Sequence, residues 1–356
     1  MALNRFMREK LILTFNEVAE LFFKFLSNQL PLFAIGFGPI GYGIFLGINT
    51  TTIKHSCSKN ASQIFNGKEM TLTAIDKIEN FSDVRMAYTA NYHETTESRR
   101  KYLAERYFFT CHCSLCDDEK FRLMESSMIC QECNGGCIPI AKMVCLDCNC
   151  KASPEMLQKY QEIKAKLILP ETLICQRRTS KPEPVFEDLK LYEHFFEEAS
   201  GIFHPLDCTF YKLREMAKFS ICGSFVVAIC DSGLDFGTVS EATLVLLLRI
   251  AQSSVMACRT RLAPFHTDLA LNEYDVAFLN AYLGKIDEAD EAFKRYEDIM
   301  IGCFGEREDL PLSFMECKLR KANFESAKKK QDFLVALFQK LTTKTSVQEG
   351  DDKENN

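Results

Sequence analysis

Positive charge is in short supply: 43 lysines and arginines face 49 aspartates and glutamates, a formal net charge of -6 over 356 residues. That balance argues against a general electrostatic footprint for nucleic acid, so any DNA or histone contact would need a local patch. Unbroken apolar runs are also missing where a signal or membrane span would be sought. Residues 11–30 are apolar, but Asn16, Glu17, Glu20 and Lys24 interrupt them, which makes an amphipathic helix of the stretch and leaves no expectation of a membrane partner. After Pro154 glycines are few and scattered, eight over the remaining 202 residues, which leaves room for long helical runs. The length is sufficient for two domains and a sizeable core.

Cysteine, in contrast, is plentiful. There are 17, an odd number, and ten fall in close spacing between Cys57 and Cys150. This pattern points to metal binding in a reducing compartment, the nucleus or the cytoplasm, rather than to a secreted disulfide framework. Cys111-His112-Cys113-Ser114-Leu115-Cys116 supplies three soft ligands. A structural zinc takes four, and Cys57 is the natural fourth. Cys130-Gln131-Glu132-Cys133 and Cys145-Leu146-Asp147-Cys148 form two further knuckles, with Asn134-Gly135-Gly136 allowing the tight turn and with Cys137 and Cys150 as competing ligands. Two zinc ions per chain are expected, both as scaffold, since four thiolates leave no open position for a catalytic water.

Patterning divides the chain. Residues 3–28 place Leu11, Leu13, Phe15, Val18, Leu21, Phe22, Phe25 and Leu26 at mostly helical spacing. Residues 33–90 carry glycines at 36, 38, 41, 43 and 47 and short β-branched or aromatic runs, which is strand and turn chemistry. A short helix is predicted over 95–106. Beyond Pro154 helical runs are predicted near 189–199, 210–230, 243–257 and 269–283, with Pro182 and Pro184 punctuating an early loop. His204-Pro205-Leu206 and Phe265-His266-Thr267 echo one another weakly, each opening a helical pair. The polar tail 342–356 is expected to be disordered.

Several motifs together resemble one family. Lys54-His55-Ser56-Cys57, Ile64-Phe65-Asn66-Gly67, Ala87-Tyr88, then Arg99, Arg100 and Leu103, and finally Tyr107-Phe108-Phe109-Thr110-Cys111-His112-Cys113 look like the end of a SET domain with its post-SET zinc loop. The variant resembled is that of the SET and MYND domain protein-lysine methyltransferases. The resemblance implies an α+β fold: a partial SET β-fold with a helical insert and a post-SET zinc loop, followed by an α-helical, tetratricopeptide-like C-terminal domain. In those terms the insert spans 1–30, the C-terminal part of the SET domain 31–92, the zinc loop 93–120, a second zinc-binding segment 121–152, and the helical domain 153–341.

The same resemblance implies transfer of methyl from S-adenosylmethionine to a lysine of a histone or another protein. Tyr88 and Tyr107 are the expected catalytic residues, with Phe33 and Tyr107 along the lysine channel. Lys54, His55, Tyr88 and Phe109 are expected around the cofactor, with Phe109 against its adenine. The helical domain would present a concave face to protein partners.

Two departures qualify the expectation. The family has asparagine where this chain has Lys54, and lysine brings only donors and a positive charge beside a cofactor that is itself cationic. The G-x-G strand and the MYND finger that precede this region in relatives are not recognised ahead of Leu3, so a chain shortened at its N-terminus is expected. The alternative reading is a zinc-stabilised interaction module with impaired catalysis.

Overall fold

The computed structural model describes residues 14–28, 30–33, 41–45, 47, 50, 52–66, 69–89, 93–133, 135–177, 186–215, 241–305 and 320–329. Helix α1 (Phe15–Asn28) begins with a capping box. The Thr14 hydroxyl accepts from the Glu17 N–H, while the Glu17 carboxylate accepts from the Thr14 N–H at 2.7 Å, so two N–H groups at the helix start are satisfied reciprocally. Residues 3–13 of the expected helix, like Pro182, Pro184 and the 342–356 tail, lie outside the described residues.

Among the described residues between 30 and 89, strand chemistry appears as short pairs. Strands β1 (Leu30–Phe33) and β2 (Gly41–Phe45) are antiparallel. Strand β3 (Lys54–His55) runs parallel to β6 (Arg85–Met86), while β4 (Ala61–Asn66) and β5 (Glu69–Ala74) form an antiparallel hairpin. Asn60 joins the two pairs: its carbonyl Oδ1 accepts from Arg85 N–H at 2.7 Å, and its backbone oxygen accepts from Ile75 N–H at 2.9 Å. Ile53, Ala61, Val84 and Met86 are buried beneath them, with Met70, Leu72, Ile78 and Tyr88 packed alongside.

Helix α2 (Thr96–Tyr107) is capped by Thr95, whose hydroxyl accepts from Ser98 N–H, and it ends at Phe108 in the left-handed region, φ 60°. That reversal turns the chain directly into the cysteine loop. One helical turn, α3 (Ser114–Asp117), holds Cys116, and α4 (Glu119–Met124) follows from an Asp118 cap. The hairpin β7 (Ser127–Ile129) and β8 (Cys137–Pro139) carries the second cysteine group.

The remainder is helical: α5 (Pro154–Arg177), α6 (Phe186–Ser200), α7 (Glu241–Arg261), α8 (Thr267–Tyr282) and α9 (Ile286–Phe304). Pro154 stands at the first helical position, where a missing N–H costs nothing. Helices α8 and α9 pack against each other across the turn 283–285, where Gly284 adopts φ 73° and the N–H groups of 283 to 285 satisfy the last carbonyls of α8. Helix α7 is long and apolar enough to cross a membrane by composition, but 56% of its most apolar window is buried inside the protein. Of the run predicted at 210–230, residues 210–215 are helical and the rest lies outside the described residues.

Packing crosses the compositional boundary at 152. Met128 and Ile138 of the β7–β8 hairpin share one core with Tyr160, Phe203 and the helices up to Phe324. Ile129 N–H donates to Ile202 O, His204 N–H to Ser127 O and Cys208 N–H to Glu125 O. The buried Asp207 carboxylate accepts from Ser127 N–H at 3.0 Å and from the Tyr160 hydroxyl at 2.7 Å. Segments 121–152 and 153–341, separated in the sequence reading, therefore bury their apolar surface together. The cause is long-range: the hairpin is too small to cover its own inner face.

The two echoing histidines have one local geometry. His204 Nδ1 accepts from Leu206 N–H and His266 Nδ1 accepts from Asp268 N–H, each at 3.2 Å. Both rings are buried, and burial pushes both below the ordinary histidine range, His204 to about 4.

Candidate functional site: two thiol clusters and an aromatic cavity

The described residues place the sulfurs of Cys57, Cys111, Cys113 and Cys116 within 4.8 Å of one another, and do the same for Cys130, Cys133, Cys145 and Cys148. Individual separations are 3.6 Å for Cys57–Cys116, Cys130–Cys148 and Cys133–Cys145. A tetrahedral zinc with bonds of about 2.3 Å requires sulfurs roughly 3.8 Å apart, so both clusters fit the ion in chemistry and in size.

Each cluster has its own support. At the first, Arg100 Nε donates to Cys111 O at 2.9 Å and its Nη2 to Asp117 at 2.6 Å, holding the loop in shape. Hydrogen bonds from Cys113 and Cys116 hold the Cys111 thiol below the ordinary thiol range, while hydrogen bonds from Cys111 and Cys113 push the Cys57 and Cys116 thiols above it, so the sulfurs act as one coupled set. At the second, a Cβ on Gly136 would lie 2.4 Å from Cys133 Sγ and 2.8 Å from Cys145 Sγ, so only glycine leaves room. Burial raises the Cys145 thiol, but backbone N–H groups of Cys148 and Asp147 outweigh it and bring the thiol down to about 7. Cys137 is buried in β8 and Cys150 donates to Lys151 O, so neither joins the cluster.

Beside the first cluster is a cavity of about 770 Å³ lined by Lys54, His55, Arg85, Met86, Tyr88, Tyr107, Phe109 and neighbouring residues. Ring centroids are 5.1 Å apart for Tyr88–Tyr107, 5.2 Å for His55–Tyr88 and 5.7 Å for His55–Phe109, with Tyr88 and Phe109 edge to face at 88°. The Tyr88 hydroxyl donates to Ile53 O, and the Tyr107 hydroxyl donates to Tyr88 O at 3.4 Å. Burial raises both phenols above their ordinary range, so both remain protonated near neutral pH.

Six of the expected residues are thus gathered from widely separated elements: Lys54 and His55 on β3, Tyr88 after β6, Tyr107 at the end of α2, Phe109 beyond it, and Cys57 at the cluster. Phe33 closes β1, and its side-chain surroundings lie outside the described residues.

Sequence reasoning missed two features. Arg85 stands opposite Lys54 in the parallel β3–β6 pair, so two cations share one stretch of the cavity lining. No motif announces a two-residue parallel pair. It also missed the buried ion pair Arg99–Glu125 at 3.1 Å, with side-chain exposures of 0% and 4%, in which Arg99 also reaches Cys116 Sγ at 3.7 Å. The adjacent Arg99-Arg100 motif contained that signal, but its partner lies 26 residues away.

No family model matches the chain. Histone-lysine N-methyltransferase SMYD3 of Mus musculus is 25% identical over 211 residues, covering 58% of this chain and 45% of that protein. Histone-lysine N-methyltransferase ASHR1 of Arabidopsis thaliana is 32% identical over 214 residues, covering 56% and 42%. The Homo sapiens SMYD3 is 26% identical over 178 residues, covering 50% and 37%. The matched span is less than half the length of each of these relatives.

Proposed function

Since the chain belongs to the SMYD-type family of SET-domain protein-lysine methyltransferases, we propose that it transfers methyl from S-adenosylmethionine to a lysine amine of a histone or other protein. The observation that carries this reading is the convergence of His55, Tyr88, Tyr107 and Phe109 on one cavity beside a four-thiol cluster. In the transfer the carbon–sulfur bond of the sulfonium breaks as the carbon–nitrogen bond to a neutral amine forms, and the amine must already have lost its proton. The protein's task is alignment in a narrow channel. The protonated Tyr88 hydroxyl would orient the incoming amine, and Tyr107 would line the channel. Phe109 would pack against the adenine of the cofactor, and the backbone at Lys54 and His55 would hold it.

Cys57, Cys111, Cys113 and Cys116 would hold a zinc ion that fastens the loop carrying Phe109, and Cys130, Cys133, Cys145 and Cys148 would hold a second that fastens the β7–β8 hairpin. Each ion supplies cross-linking and no catalytic chemistry. The helices from 153 onward form a tetratricopeptide-like surface for protein partners, supported by the α8–α9 pair across Gly284. The protein works in the nucleus or the cytoplasm.

A second reading, a zinc-stabilised interaction module with weakened catalysis, draws on Lys54. Lys54 stands opposite Arg85 in the β3–β6 register and both residues line the cavity, where a lysine ammonium would oppose a cofactor that carries an ammonium and a sulfonium. Isothermal titration of S-adenosylmethionine and radiolabelled methyl transfer to histones separate the two, using the wild-type chain, Lys54→Asn and Tyr88→Phe. The enzyme reading expects turnover that Tyr88→Phe reduces by 10-fold or more. Absence of turnover in both the wild type and Lys54→Asn would refute it and leave the interaction module.

A further inference from the structure

The His55 ring has a polar partner on each edge. Nδ1 accepts from the Tyr88 N–H at 3.0 Å. A nitrogen that accepts carries no proton, so in the neutral ring the hydrogen is on Nε2, which faces Cys57 Sγ at 3.3 Å. Tyr88 and Phe109 also pack against the ring, at centroid distances of 5.2 Å and 5.7 Å. A single half-buried imidazole therefore joins a sulfur of the first thiol cluster to the backbone and ring of Tyr88, 33 residues further on.

We propose that His55 is a positioning residue that transmits metal occupancy of the first cysteine cluster to Tyr88. The inference rests on the zinc assignment in the proposed function and not on methyl transfer. A metal bound by Cys57 immobilises that sulfur. The N–H of His55 then has a fixed, electron-rich acceptor, and the opposite edge of the ring holds the Tyr88 N–H where the cavity needs the side chain. Without the metal Cys57 can turn, the ring loses one anchor, and Tyr88 moves with it. Groups that hydrogen-bond to a metal ligand typically alter metal affinity by 10- to 100-fold, so the coupling should be legible from both ends.

The test uses the full chain labelled with 3-fluorotyrosine. The 19F resonance of Tyr88 is assigned by its loss in Tyr88→Phe, and zinc is removed by chelator and returned stepwise. The release step of the first cluster is identified with Cys113→Ser. In the wild type, returning zinc to that cluster should shift the Tyr88 resonance. In His55→Phe, which keeps an aromatic ring beside Tyr88 and Phe109 but deletes both hydrogen bonds, the shift should vanish and the first-cluster affinity should fall about 10-fold or more, with the second cluster unchanged. His55→Asn, which keeps an acceptor for the Tyr88 N–H, should lose the affinity equally and serves if the phenylalanine variant does not fold. A wild-type zinc shift persisting in His55→Phe, or full first-cluster affinity in both variants, overturns the proposal. Neither readout involves cofactor or turnover, so a chain that fails to methylate leaves this test standing. A wild-type chain that binds no zinc at the first cluster refutes both the metal reading and the inference.

Discussion

Replacing Arg99 by methionine should be among the most damaging single changes outside the cavity. The side chain is fully buried, and its guanidinium lies 3.1 Å from the Glu125 carboxylate and 2.8 Å from Thr96 Oγ1, while also donating to Glu94 O. Glu125, nearly as buried, retains the Thr96 N–H at 2.7 Å and the Thr96 hydroxyl at 2.9 Å. Those two neutral donors cannot replace a cation, and truncating one member of a buried pair costs about 3–5 kcal/mol. Removing both charges with Arg99→Met and Glu125→Leu should cost less, about 1–3 kcal/mol, chiefly because the Thr96 N–H loses its acceptor. The double mutant should therefore be more stable than Arg99→Met, a coupling expected only of groups in contact. Using roughly 2 °C per kcal/mol for a chain of this size, Arg99→Met should lower Tm by about 6–10 °C, and the double mutant should recover several degrees. Thermal denaturation followed by circular dichroism reads both. If Arg99→Met melts within about 1 °C of wild type, or the double mutant melts lower than the single, the buried-charge argument is wrong.

Four further outcomes follow from the geometry. Gly136→Ala puts a methyl against Cys133 and Cys145, so elemental analysis should find about one zinc fewer per chain than in the wild type, on the four-ligand requirement. Protonation at His204 should couple to stability. Its folded value is pushed to about 4 from an ordinary 6.5, so its contribution is complete above pH 6.5 and is lost as pH falls toward 4; His204→Asn should flatten the decline in Tm between pH 7 and 5. Asp268 works in the opposite direction, since burial raises it from 3.8 to about 6. The folded state holds its proton more tightly, stability falls as pH rises from about 4 to 6, and Asp268→Asn should make the acid-side loss of Tm steeper. Finally, a fragment of residues 155–345 lacks Met128 and Ile138, both almost fully buried against the helices. At about 1.5–3 kcal/mol for each such side chain, it should unfold at distinctly lower urea than a fragment of residues 121–345, and equal midpoints would show that the hairpin contributes nothing to the core.

Much was legible in the sequence because its signals are local. Thiol spacing marks the two clusters, since a knuckle of two cysteines three positions apart is made within a single turn, and both groups assemble as the spacing suggests. Gly284 marks the turn between two helices because its positive φ is costly for any residue with a side chain. What escaped is what depends on partners far along the chain. Nothing near Lys54 reveals that Arg85 stands opposite it, and nothing near Arg99 reveals Glu125. The compositional change at residue 152 looks like a boundary, yet the hairpin before it and the helices after it share one core. Nor does the motif containing His55 reveal which of its ring nitrogens faces the metal cluster and which faces Tyr88. The sequence by itself determined which thiols, rings and turns are available, because those properties reside in single residues and short spacings. The tertiary structure alone decided which of them meet, because burial and charge pairing are settled between segments that only the folded chain brings within a few ångströms of each other.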